Sequence, residues 1–340
     1  MTKITEYLEI LLEGGDLKYE QAKELLDTVF KGEVAEVQIA VFLAAMRMKK
    51  ATPSEFAGLA QSLRNHAVKV NTKITNLIDT CGTGGAPLKT FNVSTAAAIV
   101  AAGAGAYVAK HGNRGITSKC GSADVLEALG VKVDCPADIV AECIENAHIG
   151  FMFAPLYHPA MKFVQPIRKS LDFRTAFNIL GPLANPAGAQ AQVMGVPEES
   201  LLDRIAETFR ILGTKRAMIV HGAGLDEISI TAVTKVVELT DKKRISYEIH
   251  PKDFVSSSPK MAELVGSNAE YNAKMIKDVL YGKNKGAARD MILLNSAAAI
   301  MVAGIADDLN SGVKKAAGAI DDGAAVQCLE KLVEISNRKK

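Results

Sequence analysis

The chain has 340 residues, more than one compact core usually takes, so two domains are expected. Hydrophobic residues make up 48% and aromatics only 5%, with no Trp, so the core must be built from Ala, Leu, Ile, Val and Met. With 40 basic and 38 acidic residues the net charge is +2, which argues against a strongly basic nucleic-acid face.

The first segment, MTKITEYLEILLEGG, alternates charged and apolar residues and lacks the uncharged stretch of a leader peptide. Residues 1–70 read as helical throughout. Leu8, Leu11 and Leu12 form an apolar stripe that Gly14 or Gly15 can stop. Asp16 and Thr52 stand as N-caps, and Thr52-Pro53-Ser54-Glu55 combines a capping box with Pro at the first helical position. Val34 to Met48 is apolar nearly all round and is expected to be buried on several sides. Four helices here make a small domain that is marginal alone and leans on something else, a second copy of the chain included.

Near Asn76 the pattern changes. NLID reads as a short buried strand, Ser94 to Ala102 as a helix, and Ala106 to Ala109 as a strand. A helix from Ala123 to Leu129 is capped by Ser122 and ended by Gly130, and Val131 to Val133 reads as another strand. Strand, loop and helix repeating in this order predict an α/β architecture with a central, mostly parallel sheet flanked by helices. The proline-rich path 155–187 is the expected interdomain crossing. Further on, Ala217 to Val220 is a strand, and Lys235 to Leu239 with Ile245 to Ile249 form a hairpin at a sheet edge. Ser267 to Tyr281 reads as a helix with a Ser267/Glu270 box. Two helices, near 286–306 and 313–336, close the chain. The apolar run Met291 to Ala306 is shorter than the roughly 20 residues that span a bilayer and is read as a buried helix. The expected division is a helical domain over 1–72, with a contribution from about 169–187, and an α/β domain over 73–340.

Five cysteines, at 81, 120, 135, 143 and 328, are odd in number and never spaced as CxxC. That speaks against a disulfide framework or structural zinc and for a reducing cytoplasm.

Three stretches carry chemistry. In DTCGTGGAPLKTFNVST (79–95), Gly82, Gly84 and Gly85 let the backbone come close to a ligand, and the helix starting near Ser94 points its free N–H groups back at them. This suits phosphate or pyrophosphate, although the same glycines serve a tight strand-to-helix turn, and neither a Walker A motif nor GxGxxG is present. A second loop, KHGNRGITSK, follows a strand and adds cations at the strand's carboxyl end, where open α/β sheets bind ligands. Asp226 and Glu227 in HGAGLDEIS suit Mg2+ bridged to a phosphate, although alone they read as an acidic surface turn.

Taken together, CGTGG (81–85), TFNVST (90–95), KHGNRGITSKCGSADVLEALG (110–130), YHPAMK (157–162), Arg168 followed by RTAFNILGPLANP to Pro186, and GLDEIS (224–229) resemble the anthranilate phosphoribosyltransferases over nearly the full length. The resemblance implies transfer of the 5-phosphoribosyl group from phosphoribosyl pyrophosphate to anthranilate with Mg2+, in a homodimer joined through the helical domains. It implies that Gly82, Gly85, Thr90, Asn92, Ser94, Thr95, Lys110, Asn113, Ser118 and Ser122 hold the donor, and that Ser94, Asp226 and Glu227 hold metal. Gly82, Asn113 and Arg168 would contact anthranilate, with His111, Tyr157, His158, Met161 and Pro182 lining its approach. His111, Asn113 and Arg168 would stand at the reacting atoms, Arg168 as a fork for the carboxylate. One departure is Ala86-Pro87, where the family has Asp-Gly. Two alternatives stay open: a related phosphoribosyltransferase or nucleoside phosphorylase with another acceptor, and a non-catalytic paralogue that binds polyanions.

Overall fold

The computed structural model describes residues 2–115, 119–241, 243–255 and 259–338. Four helices open the chain: α1 (Lys3–Leu12), α2 (Tyr19–Phe30), α3 (Glu36–Lys49) and α4 (Pro53–Asn65). Thr52 caps α4 as expected, its hydroxyl accepting from the Glu55 N–H while Glu55 answers to the Thr52 N–H. Asp16 is not a cap. Its carboxylate pairs with Lys49 at 2.7 Å, and Lys18, two residues later, takes the capping position before α2. The apolar stripe of α1 is Tyr7, Leu8 and Leu11, whereas Leu12 is exposed. Helix α3 buries Ile39, Phe42, Leu43 and Met46 but leaves Val37 70% and Met48 84% exposed.

The chain continues through β1 (Leu77–Gly82), α5 (Val93–Gly103), β2 (Tyr107–Gly112), α6 (Ser122–Ala128), α7 (Ala137–Ala147) and β3 (Ile149–Phe153). Three short helices follow, α8 (Ala154–Tyr157), α9 (Gln165–Leu171) and α10 (Phe177–Leu183), then β4 (Ala191–Gly195), α11 (Leu202–Ile211), β5 (Arg216–His221), β6 (Thr234–Leu239) and β7 (Arg244–Ile249). Helices α12 (Ala269–Leu280), α13 (Ala287–Val302), α14 (Leu309–Asp321) and α15 (Ala324–Ser336) complete the fold.

The sheet order is β3-β2-β1-β4-β5-β6-β7, with the first five strands parallel and the β6–β7 hairpin antiparallel at the edge. Alternate residues of β5 serve the two faces, as strand geometry requires. Met218 and Val220 join the core built on α5 and α13, whereas Ala217 and Ile219 join the core shared with α1–α4 and α9–α11. The helical bundle and the α/β body are therefore packed together through α4 and α11.

Several local expectations are corrected. Val131 to Val133 is not a strand; the Val131 N–H closes the end of α6 on the Leu126 carbonyl, and β3 takes the place beside β2. Gly121, not Ser122, occupies the cap of α6. Asn268, not Ser267, caps α12, accepting from the Tyr271 N–H at 2.9 Å. The last helical stretch is two helices, because Gly323 takes a φ of +75° between α14 and α15.

Candidate active site

The chain order of the strands reverses between β1 and β4, and at such a point an open α/β sheet leaves a crevice beyond its carboxyl ends. The loops after β1, β2 and β5 all reach it and enclose a cavity of about 300 Å³. A larger groove, about 410 Å³, lies on the outside between α6 and α12 among Lys274, Lys277 and Tyr281. It receives none of the motif loops, so the strand-end cavity is the candidate site.

Gly82 and Gly195 are register partners at the ends of β1 and β4. A Cβ on Gly82 would lie 2.3 Å from Asp226 Oδ2, and one on Gly195 would lie 1.6 Å from the Asp226 carbonyl oxygen. Their missing side chains are what let the acidic loop lie across the strand ends. Asp226 Oδ2 accepts from the Gly84 N–H at 2.9 Å, and Glu227 Oε1 accepts from Thr90 Oγ1 at 3.2 Å.

From the glycine-rich loop and α5, Gly82, Thr90, Asn92, Ser94 and Thr95 line the cavity, and from the second loop Lys110, His111, Asn113 and Ser122 do so. Ser118 lies outside the described residues. Asn92 ties the two loops together, since its Nδ2 donates to the Cys120 carbonyl and its Oδ1 accepts from Asn272 Nδ2. Arg114 also reaches the cavity but is held by Glu127 at 2.8 Å and Asp124 at 3.0 Å.

Lys110 is only 1% exposed, and its Nζ donates to the Thr80 carbonyl at 2.5 Å. Beneath it lies Asp79, fully buried. One Asp79 oxygen accepts from the Thr80 and His111 N–H groups and the other from Asn185 Nδ2 at 2.8 Å. Burial pushes the carboxyl up and the ammonium down, and each opposes the shift of the other. Three N–H donors surround the Asp79 carboxyl and oppose that upward shift.

His111 Nδ1 lies 3.1 Å from the Gly181 carbonyl, which fixes a donor there and leaves Nε2 as an acceptor. Nε2 is buried with no hydrogen-bond partner among the described residues. The His158 ring stands behind it, 5.0 Å between centroids. Burial pushes His111 down to about 3 and His158 down to about 4, helped by the neighbouring ring and by Lys69 respectively. Both values fall below the ordinary 6.5, so the neutral rings favour the fold above pH 6.5 and that contribution is lost as pH falls from 6.5 toward 4. The melting temperature is expected to drop between pH 7 and pH 5, and to drop less in His158→Phe; equal drops would remove the histidine pair as a source of acid sensitivity.

Glu227 Oε2 is buried and has no partner among the described residues. Burial raises both acidic side chains, and for Glu227 the adjacent Asp226 adds to the shift. Both carboxylates border the cavity, and the unpartnered Glu227 Oε2 fits a hard cation completed by ligand oxygens. Ser94 borders the same cavity.

Residues 74–326 match the family model described as "Glycosyl transferase family, a/b domain", and residues 5–67 match "Glycosyl transferase family, helical bundle domain". The anthranilate phosphoribosyltransferase of Methanocorpusculum labreanum is 47% identical over 337 residues, covering 99% of each chain. The chain belongs to the anthranilate phosphoribosyltransferase family. A family member from Clostridium kluyveri is 45% identical, over 98% of this chain and all of its own. The crystal structure of the Thermus thermophilus enzyme superposes with a TM-score of 0.92 at 38% identity, covering 97% of this chain and 99% of that one. The Saccharomyces cerevisiae enzyme in complex with PRPP and Mg gives 0.89 at 28% identity, covering 98% and 97%.

Against the residues expected from the family resemblance, the structure leaves five off the cavity wall. Gly85 faces the Arg174 guanidinium. Tyr157 is fully buried with its hydroxyl donating to the Cys135 carbonyl, His158 is screened by His111, and Met161 packs against the helical core. Arg168 lies on α9 with its guanidinium 5.5 Å from the Phe177 ring centroid, donating to Gln165. Pro182 does line the cavity. Arg174, Asn178 and the buried Asp79–Asn185 pair were not anticipated. The sequence signals for them were an acidic residue inside an apolar strand for Asp79 and the opening arginine of RTAFN for Arg174.

Proposed function

We propose that this chain is a pentosyltransferase that moves the 5-phosphoribosyl group from phosphoribosyl pyrophosphate to the amine of anthranilate, releasing pyrophosphate, in tryptophan biosynthesis. The observation that carries this is the convergence of the glycine-rich loop, the start of α5, Lys110 and the acidic pair on one cavity at the β1/β4 crevice. Full-length family membership supports the same reading.

The neutral aniline nitrogen needs no nucleophile on the protein. The bond from ribose C1 to pyrophosphate oxygen breaks as the nitrogen bonds to C1, and the nitrogen then gives up a proton. The α5 N-terminus and Lys110 would take the charge that grows on pyrophosphate, whereas the Thr83 and Gly84 N–H groups donate to the Gly195 carbonyl and Asp226. When bound, Mg2+ neutralises pyrophosphate oxygens, and Ser94, Asp226 and Glu227 would hold it. His111 Nε2 and Asn113 would accept from and orient the amine at the mouth of the second loop, and Arg168 would swing from Phe177 to fork the carboxylate.

The same reading extends to organisation. We place the division at 1–72, with about 169–187, and 73–340, with the bundle sharing its core with α11 and one face of the sheet. A homodimer through the helical bundle would cover Leu12, Val37 and Met48. Five cysteines without a CxxC spacing suit a cytoplasmic location, and no helix is long and apolar enough to cross a membrane among the described residues.

The test is an acceptor panel with phosphoribosyl pyrophosphate, with and without Mg2+. Anthranilate fluorescence is expected to fall, while nucleobases are not consumed. In Arg168→Ala the anthranilate KM is expected to rise about tenfold or more while the donor KM holds. Equal losses for both substrates would overturn the fork.

A further inference from the structure

The glycine-rich loop has little with which to hold its own shape. Between Gly82 and Leu88 the only polar side chain is Thr83, whose Oγ1 has no partner among the described residues, and Ala86 is 2% exposed. Freely turning glycines would lose much entropy on closing over a ligand. The loop is instead held from outside at consecutive peptide groups. Asp226 accepts from the Gly84 N–H, Lys89 Nζ donates to the Gly84 carbonyl at 3.2 Å, and Arg174 Nη2 donates to the Gly85 carbonyl at 2.7 Å.

Arg174 is itself held from behind. Arg47 of α3 donates from Nη1 to the Arg174 carbonyl at 2.6 Å, and its guanidinium lies 4.9 Å from the Phe173 ring centroid. Asp172, just before, takes a left-handed φ of 47° that turns this segment toward the loop. A chain of contacts thus runs from the helical bundle, through residues 173 and 174, to the loop over the cavity. Arg174 also borders the cavity beside Lys89. An uncapped Gly85 carbonyl would present a negative dipole end near a diphosphate; the guanidinium covers it.

We propose that Arg174, backed by Arg47, is a positioning residue that pins the glycine-rich loop and thereby sets affinity for the diphosphate end of the donor. This rests on the transferase reading above.

Gly85 supplies an independent handle. A Cβ there would lie 2.4 Å from Arg174 Nη1, and the Gly85 backbone lies outside the left-handed region, so Gly85→Ala displaces only the end of a flexible side chain. The experiment compares wild type, Arg174→Ala, Arg174→Lys, Gly85→Ala, Arg47→Ala and the Arg174→Ala/Gly85→Ala double variant. Donor and anthranilate KM, kcat and pyrophosphate titration calorimetry are measured for each. Arg174→Ala is expected to raise donor KM about tenfold, with anthranilate KM and kcat within about twofold. Lysine recovers part of the loss, and Arg47→Ala gives a smaller rise of the same kind. Gly85→Ala reproduces the rise and the double variant is no worse than either single, because both remove one contact. An unchanged donor KM, a loss confined to kcat, or additive effects would overturn the proposal. Should Arg174→Ala not fold, Gly85→Ala alone decides it on the same criterion. If wild type fails to turn over, the transferase reading falls, and weaker pyrophosphate binding by Gly85→Ala still separates that failure from this one.

Discussion

Lys110→Met is expected to lower kcat/KM for phosphoribosyl pyrophosphate by about 10²–10³-fold, the cost of removing one preorganised donor from developing negative charge. The ammonium is buried, so water cannot replace it. The same change removes the cation whose field opposes the upward shift of the buried Asp79 carboxyl, so stability is expected to fall as well. Asp79→Asn made together with Lys110→Met is expected to recover part of the stability, because the amide oxygen can still accept from the Thr80 and His111 N–H groups while its Nδ2 meets the Asn185 donor. It does not restore the activity. Urea melts and donor kinetics on the three variants separate the two roles. A double variant as unstable as the single one would show that Asp79 is neutral beneath Lys110.

Glu227→Gln is expected to produce the second large change. Its Oε2 is buried without a partner among the described residues and its carboxyl is raised by burial and by Asp226, so ionising it without a cation costs stability. The glutamine variant is expected to melt higher than wild type without Mg2+, by about 1 kcal/mol of added stability. It is also expected to lose most of the stabilisation that Mg2+ with pyrophosphate gives wild type, and to need at least about tenfold more Mg2+ for half-maximal rate. Asp226→Asn should raise the Mg2+ requirement in the same direction. A Mg2+ response identical to wild type in both variants would remove the pair from the metal site.

The two domains, the parallel sheet and the edge hairpin were legible because they follow from hydrophobic period and turn chemistry. The α5 start was legible because Ser94 and Thr95 precede an unbroken apolar run. Strands β3 and β4 were not, since IGFMF and AQVMG are short apolar runs that local sequence does not separate from buried helix. Asp16 and Ser267 are reasonable caps by composition, but tertiary partners decided otherwise: Lys49 claims the first, and the Ser267 N–H turns to Asn272. In the site, residues on contiguous motifs were brought together. Arg174 and Asp79 were missed because their importance lies in partners far along the chain, Gly85 for one and His111 with Asn185 for the other.

Helix α5 is built almost wholly from Ala, Val and Ile, and Val93 through Ala102, apart from Ser94, is buried. Such a rod has no free volume behind it. An engineer seeking a different sugar phosphate cannot retune the anion end of α5 from the rear, because any larger residue there overpacks the interior. Useful diversity must instead be drawn from the exposed turn at Pro87 and Leu88, where side chains meet solvent beside the cavity.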